Sequence, residues 1–202
     1  MGKIPSYSRK PSEAFKAMGI ASLEHITHLQ NVADICDQGI LNHYEARSKN
    51  PYDISNHQVQ NLRERQEPVY NRRIHEYAPL YFNTRNPMLF VNISRQENIY
   101  VVQISLDVLD DMPFLFTDGN AAAKKTFFSN NIDDLDKLPI NVLKSKYWTN
   151  FNDGRRKMCS EVLIYDHIPA RYIEKVYCRS LSAKSRACSC SKPVEVAPTY
   201  YF

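Results

Sequence analysis

A chain of 202 residues, 43% hydrophobic and 24% charged, is long enough to bury one good core and short for two. Its 26 basic and 22 acidic side chains leave a net charge of +4, which permits a nucleic-acid partner without demanding one and excludes a strongly basic arm or tail. No apolar run approaches the ~18 residues that span a bilayer, so the expectation is a single soluble domain over 1–202, cytoplasmic, monomeric and without a membrane partner.

Residues 1–20 are polar and contain Pro, and read as a loose arm or an ordered flap ahead of a fold that begins near Leu23. Gly2 and Ser6 match the short N-myristoylation pattern, with Pro5 inside it, a pattern that often matches by chance. Glu24 to Thr27 reads as a short strand, and Leu29, Val32, Ile35 and Cys36 then recur at helical spacing, with Gly39 where a C-cap belongs. Thr27 followed by Gln30 fits a capping box, which gives Thr27 a structural reason to exist. His25 and His28 straddle it, are not a metal motif by themselves, and on a strand-to-helix turn are expected to pack in the core or on the surface. Residues 42–73 are polar, with Ser55 and Gln58 as a second capping box before a helix that carries Arg63 and ends before Pro68.

The block His75 to Phe90 mixes core aromatics with polar groups that packing does not require. Leu80 to Asn83 and Met88 to Ile93 suit strands flanking a polar turn with Arg85 and Asn86, so that Tyr81 and Arg85 face one cleft. Ile99 to Leu106 and Phe114 to Thr117 continue the sheet. Residues 118–157 form a long excursion with a short helix near Ala121 to Phe128 and the pair Tyr147-Trp148. The chain returns to the sheet at Glu161 to Tyr165 and Ile173 to Cys178. Tyr200-Tyr201-Phe202 is apolar enough to dock. Cys36 and Cys159 sit in apolar-periodic segments as free thiols, and Cys178, Cys188 and Cys190 lack the spacing of a zinc site, so no metal is expected.

Two charged residues pose the chemical question. A carboxylate heading a strand as apolar as Glu161 to Tyr165 is either a solvated edge residue or a functional group with a cationic partner. Arg63 is either a surface charge on a helix or a planar donor fork for a pyrophosphate or a base carbonyl. The basic residues at 63, 65, 72, 73 and at 155–157 are a solvated face or offset phosphate charge.

The ordered set His25-Ile26-Thr27-His28-Leu29 with Asn31 and Gly39-Ile40-Leu41, Arg63, His75-Glu76-Tyr77 through Pro87-Met88-Leu89-Phe90, Phe114 to Asp118, Tyr147-Trp148 and Glu161-Val162-Leu163 resembles the DarT family of DNA ADP-ribosyltransferase toxins. The resemblance covers about residues 23–180. It implies an α+β ADP-ribosyltransferase fold, a split mixed β-sheet core with flanking helices, and a long acceptor-site loop matched in position by residues 118–157. It further implies NAD as co-substrate with no metal, single-stranded DNA as acceptor with thymine the modified base, and a macrodomain antitoxin, DarG.

Carried over residue by residue, the resemblance puts His25, Thr27 and Asn31 at the NAD site. Arg63 matches the catalytic Arg, with Arg65 two residues away as its competitor. His75, Tyr81 and Met88 match the cleft lining and Glu161 the catalytic Glu. Arg85, Arg155 and Arg156 are candidate phosphate contacts from charge and placement. Tyr147, Trp148 and Phe151 are either stacking surfaces for unpaired bases or ordinary core. Expelling nicotinamide leaves an oxocarbenium-like centre, so the demand falls on electrostatic stabilisation and orientation, which a carboxylate supplies. A guanine acceptor, a protein- or RNA-directed transferase on the same fold and a silent single-strand binding module are the alternatives.

Overall fold

The structure, a computed structural model, describes residues 9–202, so the acylation pattern at Gly2 and Ser6 lies outside the described residues. In chain order it runs α1 (Pro11–Ala17), β1 (Leu23–His28), α2 (Leu29–Gln38), α3 (His43–Ser48), α4 (His57–Leu62), β2 (Tyr77–Tyr81), α5 (Pro87–Val91), β3 (Ile99–Ile104), α6 (Val108–Asp111) and β4 (Phe114–Thr117). There follow β5 (Phe128–Ser129), α7 (Ile140–Leu143), α8 (Gly154–Lys157), β6 (Glu161–Tyr165), β7 (Ile173–Cys178), α9 (Leu181–Arg186) and β8 (Val194–Val196). The strands form one eight-stranded sheet in the order β5-β4-β6-β2-β1-β3-β7-β8. The β7–β8 pair is parallel and the other pairs are antiparallel, so the sheet is mixed, with helices on its faces.

The two halves of this sheet are well paired internally and barely joined. β1 runs in register with β3 from Leu23↔Ile104 to His28↔Ile99, and β2 with β6 from Tyr77↔Tyr165 to Tyr81↔Glu161. Between β1 and β2 the register holds a single pair, Glu24↔Tyr81. Pro79 supplies a reason for the parting. A strand residue points its N–H and C=O to the same edge, and proline has no N–H to offer. The Pro79 carbonyl on the β1 side is bonded instead by the His25 ring, Nδ1 to O 3.0 Å. The strands diverge there and a cleft opens between the halves.

The main core lies against the α2 side of the sheet, where Leu80, Tyr100, Val102, Phe116 and Ile164 are fully buried. α1 belongs to it. Phe15 is buried against Phe82, Phe114 and Phe116, and Ser12 donates from both its backbone N–H and its hydroxyl to Asp110, at 2.9 and 2.7 Å. The ordered chain therefore begins before Leu23, and the described part of 1–20 is an integral helix rather than an arm. On the opposite face a second cluster joins Ile26, Leu89, Val101 and Tyr201. Tyr201 donates its hydroxyl to the carbonyls of Ile99 and Tyr177, both at 3.0 Å, so the 200–202 segment docks as its composition suggested.

Several local expectations are corrected. Met88 to Ile93 is not a strand. Asn86 caps α5, its side chain accepting from the N–H groups of Met88 and Leu89, and Pro87 occupies the first helical position, where its missing N–H costs nothing. Thr27 is not the cap of α2: it remains in β1, and His28 Nδ1 accepts from Gln30 N–H. Asn56 rather than Ser55 caps α4, and Arg63 is that helix's C-cap. Ala121 to Thr126 form turns instead of a helix: the Ala121 amide and the Ala121 and Ala123 carbonyls are taken by Glu161 and Arg65, distant in sequence.

Candidate active site

A cavity of about 1060 Å³ opens where the sheet parts, lined by His25 and Thr27 from β1, Tyr81 from β2, Met88 from α5, Arg63 and Glu161. At its floor Arg63 and Glu161, 98 residues apart, form a buried pair, Nη1 reaching Oε1 at 3.1 Å and Oε2 at 2.8 Å. Arg63 is 7% exposed and Glu161 1%. The carboxylate heads its strand facing a cleft with a cationic partner, so it is not a solvated edge residue. Arg65 points away and donates to the carbonyls of Ala121 and Ala123, at 2.7 and 2.9 Å.

A third group holds the carboxylate. The Ala121 N–H donates to Glu161 Oε1 at 2.9 Å. Sequence reading missed this contact, because a backbone amide leaves no trace in residue type. Its position is set from several sides. Arg65 grips the carbonyls around it, and Arg156 donates from Nη1 and Nη2 to Asp118 at 2.8 and 3.0 Å and from Nε to Asp153 at 2.6 Å. The Arg156 carbonyl accepts from Asn120 N–H, and the Thr117 hydroxyl donates to Gly119 O while accepting from Glu161 N–H. The start and end of the 118–157 excursion are thereby tied together beside Glu161. Arg156 is a structural clamp and not a free phosphate contact.

On the β1 side, burial pushes the His25 imidazole below its usual range, with the Pro79 hydrogen bond opposing, so the ring is neutral near pH 7. Asn31 donates to Thr27 Oγ1 at 3.2 Å and clasps the backbone of Tyr52, donating to its carbonyl and accepting from its N–H. Its role in the fold is to hold the 51–56 segment over the cleft, where Tyr52 stacks on His28 at 3.8 Å. Across the cleft, burial raises the Tyr81 hydroxyl well above its ordinary value, and the neighbouring Glu161 raises it further. His75 bridges Glu64 and Gln60 at 3.1 and 2.9 Å and stacks on His43 at 4.0 Å.

The remaining predicted contacts separate. Arg155 is exposed at the cleft mouth. Arg85 does not face the cleft: its guanidinium donates to the Tyr201 carbonyl and covers the Phe202 ring at 4.6 Å. Tyr147 and Trp148 lie outside the lining next to α8, Tyr147 exposed and Trp148 half-buried. Cys159 is buried in the cleft with its thiol pushed up to about 12, chiefly by desolvation, and so is no nucleophile. No group of His, Cys, Asp and Glu able to hold a metal occurs among the described residues.

The model of the family described as ssDNA thymidine ADP-ribosyltransferase, DarT, matches residues 25–202. The chain belongs to the DarT family. Among its relatives, a DNA ADP-ribosyl transferase of Thermus aquaticus is 29% identical over 163 residues, covering 75% of this chain and 72% of that protein. A Thermosipho africanus fusion of a DNA ADP-ribosyl transferase with a DNA ADP-ribosyl glycohydrolase is 29% identical over 191 residues, covering 89% of this chain and 49% of the fusion, so the chain spans about half its length. Thermus sp. 2.9 DarT in complex with ADP-ribosylated ssDNA superimposes with a TM-score of 0.76 at 24% identity, over 91% of this chain and 97% of that one. The same protein in complex with NAD+ gives 0.74 at 23%, over 91% and 98%. DarT proteins are DNA ADP-ribosyltransferases, and the split sheet described above is their ADP-ribosyltransferase fold.

Proposed function

We propose that this chain transfers ADP-ribose from NAD to a nucleobase of single-stranded DNA, thymine first, and releases nicotinamide. The observation that carries the reading is the buried Arg63–Glu161 pair, fixed by the Ala121 amide at the floor of a cleft large enough for a dinucleotide, in a chain of the DarT family. The cleft suits NAD in kind as well as size: neutral imidazole, hydroxyl and amide groups line the β1 wall, and a cation and a carboxylate lie at the floor.

NAD, when bound, supplies the ADP-ribosyl group and a neutral leaving group: the bond from the anomeric carbon to nicotinamide breaks, a bond to a base nitrogen forms, and the base gives up its proton to water. His25 and Thr27 hold the nicotinamide end on this reading, and Tyr81 forms the opposite wall. Glu161 accepts a ribose hydroxyl and stabilises the positive charge developing at the anomeric carbon. Because Arg63 and Ala121 already hold that carboxylate, no reorganisation is needed at the moment of reaction. Arg63 presents N–H donors and no acceptor, and so stabilises negative charge growing on the acceptor base rather than removing its proton. A ring nitrogen paired in a duplex is out of reach, which supports an unpaired acceptor. Arg155, exposed at the mouth, contacts its phosphates.

The protein is incubated with NAD and oligonucleotides that each lack one base, with mass detection of adducts and a parallel assay of nicotinamide release. Adducts confined to thymine-containing oligonucleotides and lost in Glu161→Ala are expected; persistence in Glu161→Ala overturns the mechanism, and adducts on guanine or on protein move the acceptor. The transferase–glycohydrolase fusion of the Thermosipho relative supports a toxin role with a partner enzyme, DarG-like, that removes the mark. Arrested growth on expression, relieved by a co-expressed glycohydrolase, tests it.

A further inference from the structure

Beside the cleft, between α5 and α8, lies a group of aromatic rings that the cavity does not include. Phe90, Trp148 and Phe202 meet edge to face in all pairings, with centroids 5.3 to 5.8 Å apart. Phe90 is nonetheless 48% exposed, and its neighbours Val91, Ile93 and Tyr147 are 65%, 47% and 54% exposed. Scattered exposed apolar residues are ordinary, whereas a contiguous patch marks a binding surface.

The patch is held rigidly. Arg85 fixes the Tyr201 carbonyl and covers the Phe202 ring, and Tyr201 is anchored to the sheet through its hydroxyl. Trp148 is locked to α8 by close backbone approach: a Cβ at Gly154 would lie 1.9 Å from the Trp148 carbonyl oxygen, so only glycine fits there.

It is also continuous with the cleft. α5 contributes Pro87, Met88 and Val91 to the cleft lining and α8 contributes Arg155. The Cys159 sulfur meets the Met88 backbone as a hydrogen-bond acceptor, which ties α5 to the segment that leads into Glu161. The charge at this edge is positive. Lys146 lies 5.6 Å from the Tyr147 ring, and Arg155 has no ion pair among the described residues. Exposed rings beside unpaired cations fit a partner that carries planar apolar groups on an anionic backbone.

We propose that this patch is a stacking platform for the bases flanking the modified one, with Arg155 and Lys146 meeting the phosphates between platform and cleft. The inference rests on the proposed function and extends it: the cleft takes the target nucleotide, and the platform grips its neighbours whatever their identity, since every base has a π-face. Affinity for the acceptor then grows with oligonucleotide length.

The test measures KM for oligonucleotides of about three nucleotides, shorter than known single-strand site sizes, and about twelve, within them, each with one modifiable base, and nicotinamide release without DNA. Phe90→Ala is expected to raise KM for the long oligonucleotide roughly tenfold while leaving the short one and nicotinamide release unchanged. Phe90→Trp should retain the length dependence. If wild type modifies both oligonucleotides but Phe90→Ala leaves the length dependence intact, the platform is refuted while the transferase reading stands; retention of DNA behaviour with loss of binding to a glycohydrolase partner would reassign the patch to protein docking and likewise overturn it. If wild type modifies neither oligonucleotide, the proposed function itself falls.

Discussion

Replacing Arg63 with Met keeps much of its volume and removes the charge that faces Glu161. The carboxylate then sits 1% exposed with the Ala121 N–H as its remaining hydrogen-bond donor. At a separation near 3 Å an effective dielectric of about 20 gives an attraction of roughly 5–6 kcal/mol. Desolvation of both ions offsets much of this, but the loss of one partner leaves the other's desolvation uncompensated, and such truncations cost about 3–5 kcal/mol. Glu161→Gln, which strands Arg63 instead, should cost a similar amount. In the double variant Arg63→Met/Glu161→Gln no buried charge remains and the amide can still accept from Ala121, so stability should return to within about 1–2 kcal/mol of wild type. Urea unfolding of the four proteins measures the cycle. All three variants should fail to modify DNA, including the stable double variant, which separates the loss of chemistry from the loss of folding. A single Arg63→Met variant as stable as wild type, with additive effects in the double, would refute the view that the pair is buried and mutually dependent.

Arg156→Lys keeps a positive charge but loses the fork that joins Asp118 to Asp153. It should lower kcat roughly tenfold or more with little change in KM for NAD, because the Ala121 amide is no longer aimed at Glu161; steady-state kinetics with an unchanged kcat would discard the clamp. Glu24 is buried on β1 beside Ser22, and desolvation raises its carboxyl from 4.5 to about 7. A raised carboxylate pKa means the folded protein binds more protons than the unfolded chain between these values, so stability falls as pH rises from about 4.5 to 7 and stays lower above. At 1.36 kcal/mol per unit the penalty reaches roughly 3 kcal/mol. Glu24→Gln should therefore match wild type near pH 4 and exceed its melting temperature at pH 8; equal differences at both pH values would show that Glu24 stays ionised in the fold.

Residue type and spacing determined much of this protein. β1, β3, β4, β6 and β7 were legible as apolar, β-branched runs, and α2 as a helical stripe ended by Gly39, because burial on one face or two imposes those periods directly on the chain. α5 is hidden in the sequence because Met88 to Val91 is as apolar as a strand, although Asn86-Pro87 is a helix-start signal. The chemistry of the site was visible as an Arg and a Glu whose surroundings were ambiguous in isolation. What only the tertiary structure decided is which charges meet. Arg63 and Arg65 look alike in sequence, yet one faces Glu161 and the other holds the loop that carries Ala121. Arg85, Arg155 and Arg156 look alike too, and the fold ties the first to Tyr201, leaves the second exposed and pairs the third with Asp118 and Asp153. The physical reason is that periodicity reports burial, a property local to each element, whereas an ion pair or a backbone amide aimed at a carboxylate depends on segments brought together from 40 and 98 residues away.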